Sequence, residues 1–172
     1  MADGTNGSNG KSADAGAAAK DPQTPAPAQV QLVGQYIKDL SFENPNVSKL
    51  GELKGENPDL RFEVNVNAQR VGPDTYESAI HFHGNASGKI GVIYDMEVVY
   101  AGLFRIQNIP EEAIEPFMLV NCPTLIFPFL RRIVADVTRD GGFPPLLLDP
   151  MDFGALFMRR KQQEAAEKAP KS

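Results

Sequence analysis

The chain has 172 residues, a formal net charge of −5, 42% apolar residues and a single cysteine, Cys122. That length suits one ordinary domain. The acidity argues against a nucleic-acid backbone as partner, and one cysteine excludes both an intrachain disulfide and a cysteine metal cluster.

The ends differ from the middle. Residues 1–29 hold eight alanines with Gly, Ser, Asn and Pro, and no Val, Ile, Leu or aromatic residue. Such a segment cannot bury enough surface to offset its ordering entropy, so 1–29 is expected to be a disordered tail. It also lacks the leucine-rich core of a secretory signal. Together with the cysteine usage, this points to the reducing cytoplasm. Residues 161–172, rich in Gln, Glu, Lys and Ala, read as a helix end and flexible tail. The domain is therefore 30–160, and because the charges of the two tails cancel, it carries the net acidity itself.

The first predicted strand is Val30–Glu43. In its second half Leu40 and Phe42 point one way and Asp39, Ser41 and Glu43 the other. Asn44-Pro45-Asn46 ends it, and Val47–Asp59, with Gly51, Gly55 and Pro58, reads as a long irregular connection. Leu60–Ala68 alternates without a break, apolar residues against Arg61, Glu63, Asn65 and Asn67. Gly72-Pro73-Asp74 is a turn, and Tyr76–Ala86 is the next strand, with Tyr76, Ile80 and Phe82 on the core side. A turn region at Gly84–Gly88 leads into Ile90–Leu103, where Ile90, Val92, Tyr94, Met96 and Val98 form one face and Asp95 and Glu97 the other. Short turns between successive strands indicate an antiparallel sheet; the longer first connection indicates a crossover. The helices follow as a block, which makes the class α+β.

Phe117–Leu130 is uncharged, short of the ~20 residues a membrane span requires, and carries Pro123 and Pro128 just after Pro116. A proline-broken helix is expected there. From Ile133 the pattern is amphipathic, and Gly141-Gly142 supply backbone able to take positive φ at its end. An apolar run, Phe143–Leu148, leads to Asp152, the expected N-cap of a last helix bearing Phe153, Leu156 and Phe157. This stretch has more apolar surface than one small sheet covers, so the surplus is expected to meet a partner subunit or an apolar ligand.

Asp39, Glu43, Asp95 and Glu97 form one flat acidic surface if the polar faces of their strands agree. Asp39 and Glu43 would stand ~13 Å apart at the usual strand rise. That is wider than the ~5–9.5 Å between paired glycosidase carboxylates, so they read as a surface. His81 and His83 form an H-x-H on one strand face, a possible pair of zinc ligands without a third. Cys122 lies in an apolar run and reads as a buried structural thiol. No phosphate loop, dinucleotide fingerprint or catalytic triad order stands out, and no cofactor is implied.

Three motifs carry a family resemblance. Tyr36–Asn46 (YIKDLSFENPN) resembles the first strand of SecB, the bacterial protein-export chaperone family. Asn121–Phe129 (NCPTLIFPF) resembles its proline-broken helix, and Phe143-Pro144 through Asp152–Met158 (DFGALFM) its approach to the last helix. With Glu97 and Gly102–Phe104, the likeness covers nearly all of 30–160. It implies a four-stranded antiparallel sheet with helices, assembled as a homotetramer, a dimer of dimers. It implies ATP-independent holding of unfolded precursors and their delivery to the SecA motor, with no enzymatic activity and no insertion into a membrane. Acidic residues of the family's first and fourth strands bind SecA's zinc-carrying tail. These positions fall on Asp39, Glu43 and Glu97, while Asp95 falls where the family is often apolar. The client grooves of the family match Phe143, Leu146, Leu148, Phe153, Leu156 and Phe157, of which at least half are expected to be mainly structural. Two other readings are a small metal-dependent enzyme built on His81 and His83, and a dimeric domain with a closed pocket for a small hydrophobic ligand.

Overall fold

Alternation of apolar and polar residues builds a four-stranded sheet in the computed structural model, which describes residues 26–53, 55 and 57–168. The strands are β1 (Gln29–Glu43), β2 (Asp59–Arg70), β3 (Thr75–Gly88) and β4 (Gly91–Gln107). Their spatial order is β1-β4-β3-β2, all antiparallel, so the connection from β1 to β2 is the expected crossover. It contains a short 3-10 turn, Val47–Leu53.

The strands run longer than their sequence patterns. β1 already begins at Gln29, inside the segment assigned to the tail, and the Pro27 carbonyl accepts from Asn108 Nδ2. The rest of that tail assignment, residues 1–25, and the end of the C-terminal one, 169–172, lie outside the described residues. β3 continues to Gly88, leaving only Lys89 and Ile90 in the turn. A bulge at Ile93 breaks the expected face of β4, burying Ile93 and exposing Val92 while Tyr94, Met96 and Val98 stay inside.

The helical layer is α1 (Glu111–Pro116), a π-helical turn Phe117–Asn121, α2 (Cys122–Asp140) and, after an extended segment, α3 (Phe153–Lys168). The prolines do not interrupt the helix: Glu111–Asp140 is one helical run of 30 residues, long and apolar enough by length and composition to cross a bilayer. One side of it packs on the sheet through Met118, Ile126, Leu130 and Val134, against Ile80, Met96, Val98 and Phe104. The prolines are absorbed locally. In the π turn the Cys122 amide bonds to the Phe117 carbonyl, and Pro123 has no N–H for the carbonyl of Met118. That carbonyl is taken by Ser78 Oγ of β3, which donates to it at 2.8 Å.

Both predicted helix boundaries have their physical cause in place. Gly142 takes φ +90 just past α2, and its amide bonds to the Arg139 carbonyl. Asp152 Oδ1 accepts the Ala155 amide at 2.9 Å, capping α3. The helical run covers β4 and β3 and leaves β1 at the sheet edge uncovered.

Candidate functional site

Register decides which side chains share a face. Across β1 and β4, Ser41 stands opposite Glu97, Glu43 opposite Asp95 and Asp39 opposite Val99. The four predicted carboxylates, Asp39, Glu43, Asp95 and Glu97, therefore lie on one side of the sheet, away from the helices. β3 adds His81, His83 and Asn85 to the same side, and β2 adds Arg61, Glu63 and Asn65.

The carboxylates are not equivalent. Asp95 is half-buried and held: Asn85 Nδ2 donates to it at 2.7 Å and His83 Nε2 at 3.2 Å. Asp39, Glu43 and Glu97 are exposed and have no hydrogen-bond or ion-pair partner among the described residues. On β2, Arg61 is spent on Asp59 at 2.7 Å. The nearest cation on β1, Lys38, is drawn onto Glu77 at 2.7 Å. The face thus presents three free negative charges in an open, solvated setting, which favours fast, salt-dependent capture of a basic partner.

His81 and His83 point to this face but do not act as a pair. Asn67 Nδ2 donates to His81 Nε2 at 3.2 Å, whereas His83 Nε2 donates to Asp95. Among the described residues no group of three or more His, Cys, Asp or Glu is placed to hold a metal ion. Cys122 is fully buried beside Met118, and burial pushes its thiol up to about 12, so it is held as the inert neutral form.

The six apolar residues matched to client grooves do not line one surface. Leu148, 4% exposed, and Phe153, 2% exposed, belong to the core. Leu146 is half-buried against the core, its amide bonded to Thr138 Oγ1. Phe143 closes an aromatic cluster with Tyr94 and Phe42, at ring distances of 5.0 and 6.4 Å. That cluster also meets Leu50 of the crossover. Leu156 and Phe157 instead line an open cleft of about 490 Å³ with Val66 and Leu119. Arg160 stands at its rim and donates to the Val66 carbonyl on the free edge of β2.

Sequence patterns missed several exposed apolar groups. Leu147, 74% exposed, and Met158 flank the segment just described; on α2, Leu125 is exposed and Phe129, partly exposed, stacks on Tyr100 of β4 at a ring distance of 6.4 Å. On β1, Val30, Leu32, Val33, Ile37 and Leu40 are all exposed. Their alternation was readable, but nothing in the local pattern reveals that the helices leave this edge strand bare. The role of Glu77 was likewise missed, because its partners Tyr36 and Lys38 are about forty positions away in the chain.

The two-layer α+β domain thus carries an acidic face, on which Asp39, Glu43 and Glu97 are unpaired among the described residues, and an uncovered apolar flank. The family model for the preprotein translocase subunit SecB matches residues 23–164. A protein-export protein SecB of Afipia carboxidovorans is 44% identical over 142 residues, covering 83% of this chain and 88% of that one. One from Xanthobacter autotrophicus is 46% identical over 142 residues, covering 83% and 90%. The fold is also that of a SecB-like chaperone of Mycobacterium tuberculosis solved with a peptide from an antitoxin. It has a TM-score of 0.56 at 15% identity, covering 71% of this chain and 90% of that one. The chain belongs to the SecB family of protein-export chaperones.

Proposed function

We propose that this chaperone works in the cytoplasm as a homotetramer without enzymatic activity. It holds unfolded precursors on its apolar flank and delivers them to SecA through the acidic sheet face. The carrying observation is that one sheet presents two chemistries on opposite sides: Asp39, Glu43 and Glu97 unpaired on the outer face, exposed aliphatic residues on the inner one. The outer face suits SecA's cationic, zinc-carrying tail. Positive charge is recognised there by free carboxylates, and the metal belongs to the partner.

The inner side divides between sister copies and clients. The uncovered aliphatic row of β1, with Ile37 47% and Leu40 42% exposed, is the kind of apolar edge that another copy covers in an assembly. Clients meet the aromatic cluster at Phe143 and the cleft at Leu156 and Phe157, together with Leu147 and Met158, which are exposed on the same stretch of chain. Leu148 and Phe153 support that surface from beneath. Aromatic, Leu and Met side chains accept many sequences because they fill space without demanding a hydrogen-bond pattern. Weak contacts along one long client, repeated over four subunits, add up through effective concentration.

The test is a triple neutralisation, Asp39→Asn, Glu43→Gln and Glu97→Gln, in the full chain. SecA affinity is expected to collapse while delay of precursor folding is retained. Unchanged SecA affinity in a folded variant refutes the docking assignment. Light scattering checks the assembly; a stable monomer that leaves denatured precursor untouched overturns the whole reading.

A further inference from the structure

We infer that Glu77 is the positioning residue of the acidic face: by clamping a bulge at Lys38 it decides on which side of the sheet Asp39, Ser41 and Glu43 stand. The inference rests on reading that face as the docking surface.

Alternation makes the point. Tyr36 pairs with Ala101 and Ile37 with Tyr100, but the next pair is Asp39 with Val99, so Lys38 has no partner on β4. Ala101, Val99, Glu97 and Asp95 occupy one side of β4 at a period of two, and Tyr36 shares that side. Had β1 continued without the extra residue, Lys38, Leu40 and Phe42 would follow Tyr36 onto the outer face. Asp39, Ser41 and Glu43 would then turn toward the helices. A slip of one residue exchanges the two faces of a strand, and the bulge is that slip, built in.

Glu77 holds both sides of the irregularity. It lies on β3, two strands from β1, and is only 7% exposed although it faces outward. Its Oε2 accepts the Tyr36 hydroxyl at 2.5 Å, and its Oε1 accepts Lys38 Nζ at 2.7 Å and Gln69 Nε2 at 2.8 Å. Ala101 of β4 and Ala79 of β3 are small outward-facing residues on the strands that these side chains cross. Tyr36 precedes the bulge and Lys38 is its extra residue, so one buried carboxylate fixes the chain on either side of the register change. The Lys38 ammonium and the Tyr36 hydroxyl hold Glu77 below the usual carboxylate range, and the same bond pushes the Tyr36 phenol up to about 12. Drawing Lys38 onto Glu77 also keeps its charge off the neighbouring Asp39.

The experiment compares Glu77→Leu, Glu77→Gln and Lys38→Met in the full-length chain, with Glu97→Gln as the direct test of docking. Hydrogen exchange of the Asp39–Glu43 amides reports register, and titration with purified SecA reports docking. Losing hydrogen bonds to a buried carboxylate is expected to cost at least about tenfold in amide protection over Asp39–Glu43 in Glu77→Leu. SecA affinity should fall by a similar factor, with client capture kept. Glu77→Gln, whose one amide oxygen still accepts from Tyr36 while its NH2 group meets the Lys38 and Gln69 donors, should fall between the parent chain and Glu77→Leu. Lys38→Met, altering a half-exposed side chain, keeps the test open should Glu77→Leu fail to fold. Unchanged protection in Glu77→Leu, or in Lys38→Met if that is the variant that folds, overturns the clamp. Normal SecA affinity despite lost protection overturns the positioning role. If Glu97→Gln also binds SecA normally, the docking reading has failed separately.

Discussion

Glu43 stands directly across from Asp95 in the β1–β4 ladder, so two carboxylates occupy one cross-strand position. Asp95 is braced by Asn85 and His83, whereas Glu43 has no partner among the described residues. Like charges placed directly opposite destabilise a sheet by roughly 0.2–1 kcal/mol. Glu43→Gln is therefore expected to raise stability toward urea by about that amount, while weakening SecA docking. Unfolding curves and SecA titrations on the same preparation check this, and a variant that is both less stable and weaker in docking contradicts it.

Gly102 lies on the helix-facing side of β4, where a Cβ would come within 2.7 Å of the Phe104 ring and 3.0 Å of Ile126 of α2. Both neighbours are fully buried, so neither has free space to retreat into. Gly102→Ala should cost about 1–3 kcal/mol, the usual penalty for overpacking. Urea denaturation measures it, and an unchanged midpoint would mean that α2 can lift off the sheet at no cost.

Leu147 and Phe153 separate surface from core within the segment matched to client grooves. Phe153→Ala should lose about 3–5 kcal/mol of stability, since it empties a site in the main core where its ring meets Phe127 edge-on. Leu147→Ser should leave stability within about 0.5 kcal/mol and lengthen the time for which free precursor escapes capture. Refolding of a precursor followed by fluorescence distinguishes them: Leu147→Ser with full holding activity removes that residue from the client surface.

Cys122 should resist thiol reagents in the folded chain at neutral pH and react fully in denaturant. Its pH effect has a definite sign. The folded thiol titrates at about 12 instead of the ordinary 9.0, so the unfolded chain loses this proton first. Stability falls as pH rises through that interval. Tyr36, Tyr94 and Tyr100, also raised, act in the same alkaline direction, so Cys122→Ala is the reference. Its stability curve should be flatter between pH 9 and 12 than that of the parent chain. Equal slopes would show that Cys122 reaches solvent before unfolding.

The outward direction of Asp39 and Glu43 was legible because alternation from Asp39 onward is regular. The device that sets it was not, since the bulge depends on the register of β4 and on a carboxylate from β3. The helix was legible from Phe117 onward, but neither its first turns, Glu111–Pro116, nor its continuity was. Prolines forbid particular amide bonds, and only the fold reveals that a π turn and Ser78 make up for them. Groove residues were the least legible. Leu146, Leu147 and Leu148 are identical in sequence, yet they are half-buried, 74% exposed and 4% exposed. An extended segment that presses one side chain into the core turns its neighbour to solvent, and composition holds no record of that phase.

The Ser78 hydroxyl meeting the Met118 carbonyl acts as a locating pin. It fixes the azimuth of a helical run of 30 residues, because that oxygen must point at β3. With the azimuth fixed, Leu125 stays exposed while Phe129 lies over Tyr100 of the sheet at a ring distance of 6.4 Å. The placement of both side chains traces back to one amide proton that Pro123 does not have.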